Sequence, residues 1–255
     1  MKIPVLIPNI FNHPFTYDTN LKLNVGDYVK VPFGKSEITG VVWDEFEKKN
    51  SREGIASMKW VRYESDGKTF YGILTGSSVR EVYGTPFDAY TVSETIHSYE
   101  NIHLLAPVIP PTFYAAGVNY ETHVREAAAL LGREPNIPQK ADIGYRAVNA
   151  IIGQDDPIVI PSDATGKVQY EGELVVVIGK EAKYLTEENA LDCVLGYTVG
   201  NDVSERSWQA SDRTLWRAKN TDTFKPMGPW IETDADLDEM VTTVRLNGRE
   251  LISFP

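Results

Sequence analysis

Residues 171–180 read EGELVVVIGK. After the two acidic residues comes an unbroken run of Leu, Val and Ile, too short for a globular helix and rich in β-branched side chains. Such a run predicts a β-strand covered on both faces. Glu171 and Glu173 flank Gly172 at its entrance. Side chains two residues apart on a strand share a face, so the two carboxylates should project together beside a buried sheet. Unpaired, they would be costly to desolvate, and a bound cation is one way to offset that cost. In most strands, however, a Glu-x-Glu pair is only a solvated face. The next strand-like segment, GYTVGND (196–202), ends on Asp202, which could complete a three-carboxylate set suited to a hard ion such as Mg2+ or Mn2+.

Working outward, the segments before this run are also mostly short strands. MKWVRYESDGKTFYGILTGSSVREVYG (58–84) contains alternating strands around the turn ESDGK, then a second hairpin around TGSS. VIPPTFYAAGVNY (108–120) reads as a strand or loop feeding a site. ETHVREAAALLG (121–132) is a helix, rich in Ala and Leu and stopped by Gly132. GQDDPIVIPSDATG (153–166) is a loop. TEENALDCVL (186–195) predicts a short helix with the Thr186 hydroxyl as its N-cap. SERSWQASDRTLWRAK (204–219) reads as helix or helical turns.

His123 and Glu126, at i and i+3 on the helix after GVNY, share a face and could act as a base and its orienting carboxylate; an exposed charged pair is the plainer alternative. Lys219 sits in a stretch dense in Gly, Pro and aromatics, and Arg206 and Gln209 follow Asp202. Taken alone, these three are ordinary surface residues.

The chain has 255 residues, 42% hydrophobic and 24% charged, enough for one large core with a small appended domain. Its net charge of -11 argues against general nucleic-acid binding. Cys193 is the single cysteine, which excludes an internal disulfide and multi-cysteine zinc sites. The four histidines (His13, His97, His103 and His123) are scattered, against a His-rich zinc site. No run approaches the roughly 18 apolar residues of a membrane span, and the N-terminus lacks signal-peptide features, so a cytoplasmic location without membrane association is expected.

Residues 1–57 carry seven Lys/Arg and seven Asp/Glu, leaving the acidic excess to the remainder. VLIPNIF, NHPFTYDTN, VGDYVKVPFG and ITGVVWDEF suggest a small β module, with EFEKKNSREGIAS (45–57) as a surface linker. At Met58 the texture restarts.

The motifs PTFYAAGVNYETHVREA, IIGQDDPIVIP, QYEGELVVVIGK, GYTVGNDVSERSWQ and AKNTDTFKPMGPWI, in this order, resemble the successive motifs of the fumarylacetoacetate hydrolase family over about 58–255. The resemblance implies a β-rich α+β fold, a mixed β-sandwich or roll incomplete at the C-terminus, since members continue beyond RLNGRELISFP with further strands. It implies a small β-rich part at 58–106 and a catalytic domain at 107–255. It assigns Glu171, Glu173 and Asp202 to a metal (Mg2+, or Mn2+ or Ca2+), His123 and Glu126 to water activation or proton transfer, and Arg206, Gln209 and Lys219 to the oxo-acid end of a small-molecule substrate. The implied activity acts on 2-oxo acids with a second carbonyl or carboxylate. Hydrolysis of a C–C bond through a metal-bound enolate comes first, with enol–keto isomerisation or decarboxylation as alternatives, in a homodimer. Lys219 would add positive charge to the developing oxyanion.

Residues 1–57 instead resemble the N-terminal, DNA-3′-end-binding module of the primosomal replication-restart helicase, with Phe15, Tyr17 and Gly34 in the motifs FTY and VPFG. Thr16 stands where some of those helicases carry an acidic residue. No GxxxxGK[ST] phosphate loop follows. A DNA-end-binding module with an inactive passenger is therefore the alternative from another class.

Overall fold

The structure, a computed structural model, describes residues 2–6, 15–18, 28–33, 36–42 and 57–254, with side chains from residue 57 onward except Ala127. The chain divides into two compact units, residues 1–56 and 57–255. In the first, β1 (Lys2–Leu6), β2 (Phe15–Asp18), β3 (Tyr28–Phe33) and β4 (Ser36–Val42) form an antiparallel sheet in the order β2-β1-β4-β3. Gly34 and all but the last residue of the expected linker lie outside the described residues.

The second unit is built on a nine-stranded sheet. It opens with β5 (Lys59–Ser65), β6 (Lys68–Thr75), β7 (Ser78–Gly84), β8 (Tyr90–Ser98) and β9 (His103–Leu105). The ESDGK turn joins β5 to β6 through Asp66 and Gly67, both at positive φ (50° and 71°), as tight hairpins require. Next come β10 (Phe113–Gly117), α1 (Glu121–Leu130), β11 (Asp142–Arg146), β12 (Ile151–Ile152) and β13 (Val168–Gln169). The chain continues through β14 (Gly172–Ile178), β15 (Val194–Asn201), β16 (Ser204–Glu205), α2 (Arg206–Gln209) and α3 (Trp216–Asn220). It finishes with β17 (Lys225–Glu232), β18 (Thr242–Leu246) and β19 (Arg249–Phe254). The large sheet runs β14-β15-β17-β5-β6-β7-β8, with β12 on β17 and β9 on β5. Apart from the parallel β12–β17 pair its ladders are antiparallel. RLNGRELISFP supplies the end of β18 and all of β19, which form a separate hairpin.

One core cluster joins Trp60, Val82, Ala106, Val108, Val177, Met227 and Ile231, and so ties the first hairpins to β14 and β17. A second surrounds Val61, Tyr63 and Val79. Gly132 ends α1 as expected. Its φ is +60°, and its amide and that of Arg133 donate to the carbonyls of Ala129 and Ala128.

Two expectations are corrected. The β14 run is not covered on both faces: Val177 is buried, but Val176 and Ile178 are 47% and 53% exposed, as is Val199 on β15 at 60%. β14 ends the sheet order, and β-branched residues suit a pleated strand whether or not both faces are covered. TEENALDCVL yields only a 3-10 turn, Ala190–Cys193, preceded by Asn189 rather than capped by Thr186. The Thr186 amide instead donates to Asn189 Oδ1 at 2.8 Å, closing a side-chain turn that competes with a helix.

Candidate metal centre

The site is assembled by the β14–β15 ladder. Gly172 pairs with Asn201, so Glu171 and Asp202 lie just beyond the paired ends, and the Asp202 amide donates to the Glu171 carbonyl at 2.9 Å. Glu173 pairs with Gly200. A Cβ at Gly200 would meet Val175 Cγ2 at 2.7 Å, so the missing side chain leaves the space beside Glu173 open. The carboxylates of Glu171, Glu173 and Asp202 offer oxygens within 4.8 Å of one another. Three oxygen donors at this spacing fit a hard divalent cation after modest closure.

Four cations surround the carboxylates. Arg146, at the end of β11, grips Asp202 with both arms of its guanidinium, Nε to Oδ1 and Nη2 to Oδ2, each at 2.9 Å, and both side chains are buried. Lys225, at the head of β17, lies 2.8 Å from Asp202 Oδ1 and donates to the carbonyls of Phe224 and Val203 at 2.8 and 3.1 Å. Lys219, on α3, bridges Glu171 Oε2 at 2.6 Å and Asp202 Oδ2 at 2.7 Å. Arg206 reaches Glu171 Oε1 at 2.5 Å and is steadied by Gln209 and Gln169 at 2.9 and 2.8 Å. Ser204 Oγ lies 2.8 Å from the Asp202 carbonyl and 3.2 Å from Glu171 Oε1, and donates to one of them at a time.

The supporting turns are locally encoded. Glu205 accepts from the Trp208 amide at 2.6 Å and so caps the short α2 that carries Arg206 and Gln209. The Ala147 amide donates to Asn220 Oδ1 at 2.6 Å, which ties the end of α3 to the residue after Arg146.

The charges are unequally matched. Burial pushes Asp202 upward, but the Arg146 hydrogen bonds and the Lys225 and Lys219 charges overcome it and hold the carboxyl well below the usual range. Burial lowers Lys225 to about 8 against the opposing pull of Asp202. Glu173 makes no side-chain hydrogen bond or ion pair among the described residues. Burial, then the Asp202 and Glu171 charges, raise it to about 7, with Lys219 and Arg146 opposing. It is the carboxylate whose burial is least compensated and the one that gains most from a cation.

The structure brings together the three acidic residues with Lys219, Arg206 and Gln209. It does not join His123 and Glu126 to them by hydrogen bonds. Both are exposed on α1 and make no hydrogen bond to each other. Arg146 and Lys225 were missed from the sequence. The available signal for Lys225 was a lysine opening the strand KPMGPWIE, which carries no other charge before its final glutamate; nothing comparable marks Arg146.

The family described as fumarylacetoacetate (FAA) hydrolase C-terminal matches residues 112–254, more than half of the chain and every residue of this site. The chain belongs to the fumarylacetoacetate hydrolase family. Its β-rich α+β fold matches solved members: it superposes on 5-carboxymethyl-2-hydroxymuconate delta-isomerase from Mycobacterium smegmatis with a TM-score of 0.68 and 33% identity, over 77% of this chain and 75% of that one. It is 40% identical to Protein Rv2993c of Mycobacterium tuberculosis, over 71% of this chain and 65% of the relative. It is 37% identical to the mitochondrial oxaloacetate tautomerase fahd2 of Xenopus laevis, over 64% and 51%. The chain thus spans about half to two-thirds of the length of these curated relatives. Two further families match: Rv2993c-like, N-terminal, at residues 58–107, and a 3′ DNA-binding domain at residues 4–64. Fumarylacetoacetate hydrolase family enzymes include hydrolase and isomerase or tautomerase members that act on small molecules. Among the described residues no helix is long and apolar enough to cross a membrane.

Proposed function

We propose that this chain is a divalent-metal-dependent enzyme acting on 2-oxo acids with a second carbonyl or carboxylate, and that it interconverts their enol and keto forms. The observation that carries the reading is the convergence of Glu171, Glu173 and Asp202 beside the cations Lys219 and Arg206. Mg2+ or Mn2+ held by these carboxylates would supply Lewis-acid polarisation of the 2-oxo group. Arg206, held by Gln209 and Gln169, offers its Nη2 to the substrate carboxylate. Lys219 meets the oxygen on which charge develops as the enol forms. His123, on the same face of α1 as Glu126, is assigned to carry the proton between the carbon beside the ketone and the enol oxygen, so the reaction closes without consuming water.

Isomerisation is preferred to C–C hydrolysis because it needs only a moved proton, whereas hydrolysis also needs a water directed at the distal carbonyl. The names of the Xenopus tautomerase and the M. smegmatis isomerase favour the same reaction class. The enzyme is proposed to comprise residues 58–106 and 107–255, with residues 1–57 as a separate module. The match at residues 4–64 favours DNA-end binding by that module, although its balanced charge gives little backbone attraction.

The test follows the ultraviolet absorbance of enol-oxaloacetate as it decays, with Mg2+ and with a chelator, alongside an acylpyruvate. Mg2+-dependent acceleration of enol decay without acylpyruvate cleavage is expected. Mg2+-dependent cleavage would instead assign hydrolysis, and no Mg2+-dependent effect on either compound would reject the enzyme reading.

A further inference from the structure

Three of the four cations around the carboxylates have a second anchor. Arg146 Nη1 donates to the Tyr145 carbonyl at 3.1 Å, Lys225 to two backbone carbonyls, and Arg206 to two glutamine side chains. Lys219 differs. Among the described residues its ammonium donates to Glu171 Oε2 and Asp202 Oδ2 and to no other acceptor. It also bridges two of the three grouped carboxylates, while the third, Glu173, stays unpaired.

We infer that Lys219 is a resident counter-ion standing where a divalent ion would bind, and that it gives way to that ion. This rests on the metal-site reading above. A divalent cation coordinated to the same oxygens would lie close to the ammonium, and like charges at that separation repel strongly in a half-buried site. Departure of Lys219 strands neither carboxylate. Asp202 keeps Arg146 and Lys225, and Glu171 keeps Arg206 with Ser204 within reach. The lysine stem is a four-carbon chain with several rotatable bonds, so the ammonium can shift relative to the carboxylates by rotation about its own stem. Freed from the carboxylates, it is available to an anionic substrate only once the metal is in place. Metal and substrate would therefore bind in order, through one side chain.

Two measurements on the full chain test this. Mn2+ binding is read from the electron paramagnetic resonance signal of the free ion for the wild type, Lys219→Met, Lys219→Arg and Glu173→Gln. Lys219→Met should bind at least tenfold more tightly than wild type, whereas Lys219→Arg, which keeps the charge, should not. A simply structural lysine would give weaker binding, or none, when removed. Unchanged or weaker affinity in a folded Lys219→Met would overturn the inference. Crystals of the wild type grown with Mg2+ supply the second readout and decide the matter if the Met variant does not fold. Nζ should have left at least one of the two carboxylates; an ammonium still bridging both beside a bound Mg2+ overturns the inference. Equal Mn2+ affinity in wild type and Glu173→Gln, or no binding by the wild type, would instead reject the metal site itself.

Discussion

Glu171 and Asp202 meet at the open end of the β14–β15 ladder, joined twice: through the backbone, where the Asp202 amide donates to the Glu171 carbonyl at 2.9 Å, and through the Lys219 ammonium between their carboxylates. The main-chain bond fixes where the two Cα atoms stand, and the side chains inherit that placement. The site's geometry is therefore a property of strand register.

Glu173 makes stability depend on pH in a direction opposite to most carboxylates. Its folded-state value, raised to about 7 from 4.5, means that the folded chain holds a proton that the unfolded chain has released. Stability without metal should thus fall as pH rises from about 4.5 through 7. Thermal melts in chelator should show this loss in the wild type and a flatter profile in Glu173→Gln, with Mg2+ reducing the wild-type loss. A wild type that gains stability relative to Glu173→Gln across that window would contradict the assignment.

Arg146→Met should destabilise the chain by about 3 kcal/mol, the low end for breaking a buried pair, because Asp202 keeps two other cations. Arg146→Lys should cost less, since it restores charge without the two-armed grip. Urea denaturation with both variants checks the ordering.

Gly200→Ala places a methyl 2.7 Å from Val175 Cγ2. Overpacking of this kind costs roughly 1–3 kcal/mol. Because Gly200 pairs with Glu173, Mn2+ affinity should fall along with the melting temperature. A lower melting temperature with unchanged Mn2+ affinity would separate the strand from the site.

His123→Ala should lower turnover far more than Mn2+ affinity, because the residue is assigned to proton transfer. Equal losses of both would move His123 into the metal site.

A chain starting at Met58 should bind Mn2+ as well as the full chain. The nine-stranded sheet begins at β5, and residues 1–56 form their own compact unit. Loss of metal binding on this deletion would make the N-terminal segment part of the enzyme.

Most of the site's acidic half was legible in the sequence, for a local reason. Glu171 and Glu173 are two residues apart and Asp202 ends the neighbouring strand, so alternation and a single antiparallel pairing suffice to gather them. The basic half was less legible. Arg146 reaches Asp202 across 56 residues and Lys225 reaches it across 23, and no spacing rule relates an arginine on one hairpin to an aspartate on another sheet. The hairpins around Asp66-Gly67 and TGSS were readable because turn chemistry is short-range. The burial of β14 was not, because a run of valines looks the same at a sheet's edge as at its centre.

That edge governs how the protein behaves in the tube. Val176, Ile178 and Val199 are apolar and open to water, and the charge of -11 opposes the meeting of such surfaces on separate molecules. Added salt shortens the reach of that repulsion to about 10 Å at 0.1 M and less above it, and acidification toward a pI near 4.9 removes it. Light scattering should therefore rise with salt and on approach to pH 5, and be lowest in dilute buffer at neutral pH or above.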